Sequence, residues 1–136
     1  MENIQQTEPK PRQLRALIVD DSRPTRRVLR AALTQQGFEV EEAQDGAAAA
    51  GILRKGIDRF DIIFSDISMP EMDGFELCQH LQEAPWYDGT PFMVVSTSSD
   101  ATNVVRALKL GADDFIPKPF DPEIVDRVTR RVLAVV

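Results

Sequence analysis

A doubly wound α/β architecture, five parallel strands with five helices packed on both faces, follows from three features of this 136-residue chain. Short apolar runs alternate along it with stretches whose apolar residues recur at helical spacing. The first run, Ala16-Leu17-Ile18-Val19, is apolar without interruption, as a strand covered on both faces should be. Polar side chains then gather at the ends of the runs: Asp20 and Asp21 after the first, Asp66 after the third, Ser96 closing the fourth and Lys118 just beyond the fifth. In a parallel sheet with right-handed crossovers, such ends lie on one side, along the crevice where ligands bind.

Each element has its own signal. Residues 1–13 contain Pro9 and Pro11 and few apolar side chains, so they read as a flexible leader, with residues 14–136 as the folded domain. After the first strand, Ser22 caps a helix with Pro24 in its first turn, where the missing N–H costs nothing. Val28, Leu29, Ala32 and Leu33 form its apolar stripe, and Gly37 stops it. Phe38 to Glu42 is the second strand, and Asp45 caps an alanine-rich helix running to about Gly56. Asp61 to Ser65 is the third strand, and Asp73 opens a helix through Phe75, Leu77, Cys78 and Leu81. Phe92 to Ser96 is the fourth, followed by a helix from about Ala101 to Leu110. Phe115 and Ile116 form a short fifth strand; Asp121 and Pro122 start a last helix through Ile124, Val125, Val128 and Val132.

The bulk composition narrows the function. With 43% hydrophobic and 28% charged residues the chain has the apolar content to build one core. A net charge of −6 argues against direct nucleic-acid binding, which needs a basic face to displace counterions. The single cysteine, Cys78, excludes an internal disulfide and suits a reducing compartment. The start of the chain is polar, so no secretory signal is expected, and no apolar run nears the roughly 20 residues that span a bilayer. A cytoplasmic protein without membrane insertion is the expectation.

The gathered acids define the chemistry. Three neighbouring carboxylates repel one another unless a cation joins them. Mg²⁺ meets that need with only one or two direct carboxylates, because it keeps several waters. Asp66, carried out on a strand end, is the best-placed nucleophile, since a carboxylate can attack phosphorus to give an acyl phosphate. Asp21 and Asp66 would hold the ion, with Asp20 reaching it through a water. Lys118 is a compact charge suited to a phosphate oxygen, and Ser96 offers a hydroxyl donor. Taken singly, these residues read as solvated acids and loop positions; their shared placement at strand ends favours a pocket.

Four pieces, in this order and spacing, carry a resemblance: Leu17-Ile18-Val19-Asp20-Asp21-Ser22; Ile63-Phe64-Ser65-Asp66-Ile67-Ser68-Met69-Pro70-Glu71-Met72-Asp73-Gly74; Val94-Val95-Ser96-Thr97; and Gly111-Ala112-Asp113-Asp114-Phe115-Ile116-Pro117-Lys118-Pro119-Phe120. The chain resembles the receiver domains of two-component response regulators, the CheY-like branch of the flavodoxin-like folds, from Arg15 to about Leu133. The resemblance implies the strand order 2-1-3-4-5. It implies that Asp66 accepts a phosphoryl group from a sensor histidine kinase or a histidine phosphotransfer protein. Asp20, Asp21, Asp66 and the backbone carbonyl of Ser68 would hold Mg²⁺. Ser96, Thr97 and Lys118 would bind the phosphoryl oxygens, and the Lys118–Pro119 bond would be cis. Ser96 and Phe115 would form the switch, although Phe115 stands where the chemotaxis proteins carry a tyrosine and brings no hydroxyl. Ser68 and Ser98, two residues beyond Asp66 and Ser96, occupy positions that tune acyl-phosphate lifetime in this family.

A phosphorylation-controlled module without its own output domain, docking on a downstream protein, is therefore the leading expectation. Two others compete: a metal-dependent phosphatase using Asp66, and a receiver belonging to a longer DNA-binding or enzymatic regulator. The phosphatase usually needs a second acid two residues after the nucleophile, and here that residue is Ser68. Among other positions, His80 reads as a solvated helix residue, Cys78 as core, and Trp86 with Tyr87 as a loop lid or a docking anchor. Arg26, Arg27 and Arg30 read as a kinase-facing surface of the first helix or its solvated side.

Overall fold

The computed structural model describes residues 13–56, 59–97 and 101–133. Strands and helices alternate strictly: β1 (Arg15–Val19), α1 (Arg23–Gln35), β2 (Glu39–Ala43), α2 (Gly46–Lys55), β3 (Ile62–Ser65), α3 (Gly74–Glu83), β4 (Phe92–Ser96), α4 (Ala101–Lys109), β5 (Asp114–Pro117) and α5 (Pro122–Leu133). The strands form one parallel sheet in the order β2-β1-β3-β4-β5, as the resemblance implied. Of the leader expected over residues 1–13, only Gln13 falls within the described residues; its side-chain amide donates to the Gly37 carbonyl.

The caps read from the sequence fix the helix starts. Ser22 and Asp45 accept from the N–H groups of Thr25 and Ala48, and Asp73 forms a capping box with Glu76. At the end of α1 the structure differs from the expectation by one residue. The Phe38 N–H bonds to the Leu33 carbonyl and the Gly37 N–H to that of Thr34, with Gly37 at φ +95°. Phe38 thus closes the helix in a Schellman motif instead of opening the strand, and β2 runs from Glu39 to Ala43.

Strand alternation divides the core in two. Leu17, Val19, Ile63 and Val94 face α2, α3 and α4, while Ala16, Ile18, Phe64, Met93 and Ile116 face α1 and α5. Fully burying one of the larger of these side chains stabilises the fold by roughly 1.5–3 kcal/mol. The helices share this core unequally. Within α4 only Ala107 is buried, while Val105 and Leu108 are each 47% exposed. Arg106 of α4 stacks its guanidinium 4.1 Å above the Phe75 ring, tying the helix to α3.

The two sheet edges are of different kinds. On β2, Arg15 pairs with Glu39 and Glu41, and Arg26 and Arg30 pair with Glu42. The other edge, β5, is four residues long and ends at Pro117. No helix among the described residues is long and apolar enough to cross a membrane.

Candidate functional site

The crossovers bring the carboxyl ends of β1, β3, β4 and β5 to one side of the sheet, and the first residue past β1 is tied from four directions. The Asp20 N–H donates to the Ala43 carbonyl at 3.1 Å, and its own carbonyl accepts from Arg26 Nη1 at 2.7 Å. Its Oδ1 accepts from the Ser22 N–H at 2.8 Å, and its Oδ2 from Lys118 Nζ at 3.0 Å. Asp20 is 1% exposed, whereas Asp21 beside it faces solvent.

Asp66 follows β3. Its N–H donates to the Val19 carbonyl at 2.9 Å, its Oδ1 accepts from the Ile67 N–H at 2.8 Å, and its Oδ2 lies 3.5 Å from Lys118 Nζ. At 7% exposure, burial pushes its carboxyl above the ordinary range, and the neighbouring Asp20 charge pushes the same way. Lys118 and the Ile67 N–H offset part of this. The loop after Asp66 is held tightly: the Met72 N–H bonds to the Pro70 carbonyl at 2.8 Å across Glu71, which sits at φ +69°. Gly74 then starts α3 against the backbone of Asp66, where a Cβ would meet the Asp66 carbonyl oxygen at 2.2 Å.

One oxygen from each of Asp20, Asp21 and Asp66 lies within 4.8 Å of the others. Three carboxylates against one ammonium leave an excess of negative charge, and the donors are all hard oxygens. This donor set fits a divalent cation of the Mg²⁺ type.

The remaining predicted residues fall around this cluster. Ser96 is buried at the end of β4, beside the strand that leads to Asp66, and its carbonyl accepts the Lys118 N–H at 3.0 Å. Thr97 and Ser68 are exposed, and Ser98 lies outside the described residues. Phe115, the expected switch residue, is half-buried against the α2–α3–α4 side of the core. The Lys118–Pro119 bond is cis. Lys118 bridges Asp20 and Asp66 and lies nearer Asp20.

Elsewhere, His80 is exposed, with its ring edge to Trp86 at 6.4 Å between centroids. Cys78 is buried. Tyr87 packs on the core and its hydroxyl donates to the Thr90 carbonyl, while Trp86 stays 39% exposed. Arg26 corrects the sequence reading: it is 8% exposed and belongs to neither a docking face nor a solvated one. Its guanidinium turns inward to Asp20 and Glu42, because Glu42 on β2 supplies the counter-charge that burial requires. Helical spacing within α1 carries no trace of that partner. Gly74 was also missed as a site residue, although its place after the Asp73 cap marked where the helix begins.

Comparison with known proteins bears on the family and the fold. The response regulator receiver domain family matches residues 16–129. The chain is 39% identical over 107 residues to the response regulator MprA of Mycolicibacterium vanbaalenii, covering 79% of this chain and 45% of that protein. It thus spans under half the length of this curated relative. Among solved structures, the chemotaxis protein CheY4 of Vibrio cholerae superposes with a TM-score of 0.82 at 34% identity, covering 89% of this chain and 99% of that one. The signal receiver domain of a signal transduction histidine kinase from Syntrophus aciditrophicus gives a TM-score of 0.79 at 37% identity, covering 90% and 91%.

Proposed function

This chain belongs to the response regulator receiver domain family, a family of signalling modules, and on that premise we propose that it is a phosphorylation switch with Asp66 as the acceptor. The donor is a phosphohistidine on a sensor histidine kinase or a histidine phosphotransfer protein, and the partner is a downstream protein in the cytoplasm. An Asp66 carboxylate oxygen attacks phosphorus, the phosphorus–nitrogen bond breaks, and its electron pair returns to the departing imidazole, which takes up a proton. Hydrolysis of the acyl phosphate later restores the carboxylate and releases phosphate. The chain assists only its own phosphorylation and dephosphorylation.

Asp20, Asp21, Asp66 and the Ser68 carbonyl would hold Mg²⁺. When bound, the ion supplies positive charge against the transferring phosphoryl oxygens. Lys118 offers its ammonium to one such oxygen, and the Ser96 hydroxyl and Thr97 bind the others. The observation that carries this reading is the convergence of three carboxylates and one ammonium on a single strand-end cluster, with Asp66 seated in it.

A magnitude bounds the switch. Taking a two-state equilibrium from 1:99 to 99:1 needs roughly 5.5 kcal/mol of differential binding. A lysine–phosphate contact gives about 4 kcal/mol gross near the surface, but Lys118 is already paired with two aspartates, so only part of that is new. A Ser96 hydrogen bond to a charged oxygen adds about 1.5–3 kcal/mol. Phosphorylation therefore shifts an ensemble, and the partner completes the change. The thinly anchored α4, with Val105 and Leu108 exposed, is the element with least to lose in moving.

The test is incubation with Mg²⁺ and acetyl phosphate, followed by intact mass and released phosphate. A single lasting phosphoryl adduct, absent from Asp66→Ala, is the expected result. Rapid repeated release of phosphate without an adduct, or an adduct on another residue, would sink the assignment.

A further inference from the structure

We infer that Arg26 positions the two amino-terminal aspartates for the cation by pinning the peptide between them. This rests on the metal-assisted reading of the Asp20–Asp21–Asp66 cluster and adds a residue to it.

The carbonyl that accepts from Arg26 Nη1 at 2.7 Å belongs to the peptide unit joining Asp20 to Asp21. From that unit one carboxylate enters the core and the other faces solvent. A net change of ψ at Asp20 would turn this peptide and re-aim the Asp21 carboxylate relative to Asp20 and Asp66. On the amino side of Asp20, the N–H is already tied to Ala43, so Arg26 supplies the missing restraint on the carbonyl side.

Burying a guanidinium is costly unless its donors and charge are both matched. Both are matched here: Arg26 Nε bonds to Glu42 Oε1 at 2.8 Å while Nη1 reaches Asp20. Glu42 is kept ionised, because the hydrogen bonds and charges of Arg30 and Arg26 outweigh the effect of its own burial. The fork is held at the angle that spans β2 and the end of β1, which a lysine ammonium on a flexible stem would not reproduce. Arg30 is the natural comparison: it also holds Glu42 but bonds onward to the Val40 carbonyl rather than to the acid cluster.

The experiment measures Mg²⁺ affinity by titration calorimetry and the thermal midpoint, for the wild-type chain and for Arg26→Lys, Arg26→Met, Glu42→Gln and Arg30→Met. Arg26→Lys keeps the charge and should still weaken Mg²⁺ binding about tenfold, the scale typical of lost outer-shell partners. Glu42→Gln should weaken it less, and Arg30→Met should lower the midpoint while leaving Mg²⁺ affinity at the wild-type value. If Arg26→Lys binds Mg²⁺ like the wild type, or Arg30→Met weakens binding as much, Arg26 is a stability residue only and the inference is wrong. Should the Arg26 variants fail to fold, unchanged affinity in Glu42→Gln overturns it equally. A wild-type chain that neither binds Mg²⁺ nor takes phosphate on Asp66 would instead bring down the underlying reading.

Discussion

The ammonium of Lys118 rests on Asp20, 3.0 Å from its Oδ2, and reaches Asp66 only at 3.5 Å. It stands in the middle of a cluster that is short of positive charge and serves as its resident counter-ion. The residue proposed to meet a phosphoryl oxygen is thus already paired, and its removal should register in the stability of the resting protein.

Replacing it with methionine (Lys118→Met) leaves two buried carboxylates facing one another. The metal-free protein should lose about 2–3 kcal/mol, a buried-pair loss discounted for the partial exposure of the amine. Mg²⁺ should restore more stability to this variant than to the wild type, because the ion replaces the missing charge. Denaturant unfolding with and without Mg²⁺ measures both; an equal Mg²⁺ effect in the two proteins would contradict the counter-ion role.

The raised pKa of Asp66 sets a sign for the pH dependence. In the folded, metal-free chain this carboxyl binds its proton more readily than in the unfolded chain, because of burial first and Asp20 second. Stability contributed by the protonated form is therefore fully present below the unfolded value and lost as pH rises through the folded one. Asp66→Asn abolishes that loss, so it should melt higher than the wild type at neutral pH, with the advantage disappearing toward pH 3.8. Melting curves across that range in a chelator decide the matter.

Two glycines should respond oppositely to alanine. At Gly74 a Cβ would sit 2.2 Å from the Asp66 carbonyl oxygen, and Gly74→Ala should cost about 2–3 kcal/mol and slow phosphorylation. At Gly51, inside α2, a Cβ meets nothing within 4 Å, and Gly51→Ala should stabilise by about 0.5–1 kcal/mol. Denaturant midpoints of the two variants, compared with the wild type, test the pair.

Cys78 should be slow to react. Burial pushes its thiol up to about 11, against a weaker opposing hydrogen bond from Gln82. A thiol-directed chromogenic reagent at mildly alkaline pH should label the folded chain far more slowly than the denatured one. Labelling at the rate of a free thiol would place this side chain outside the core.

Much of this was legible in the chain itself, where local pattern and tertiary environment coincide. Phe92 to Ser96 was bounded correctly because both faces of β4 are buried and the run is unbroken. Asp45 and Asp73 marked their helices because capping is a local event. The acids and Lys118 were findable because strand ends in such sheets converge. Phe38 was misassigned since its N–H serves the helix behind it while its ring serves the core. Arg26 could not be read as buried, because its counter-charge arrives on β2, sixteen positions along, through a pairing that no periodicity in α1 announces.

The borders of the sheet carry a consequence for how this domain meets other molecules. At one border an incoming strand would meet the charged β2, whose glutamates already pair with Arg15, Arg26 and Arg30, and at the other a four-residue strand whose last residue, Pro117, has no N–H to offer. Joining two copies, or a copy and a target, into a continuous sheet is thereby discouraged on both flanks. Recognition is left to helical faces and the loops between them, surfaces that can reshape without unzipping the core.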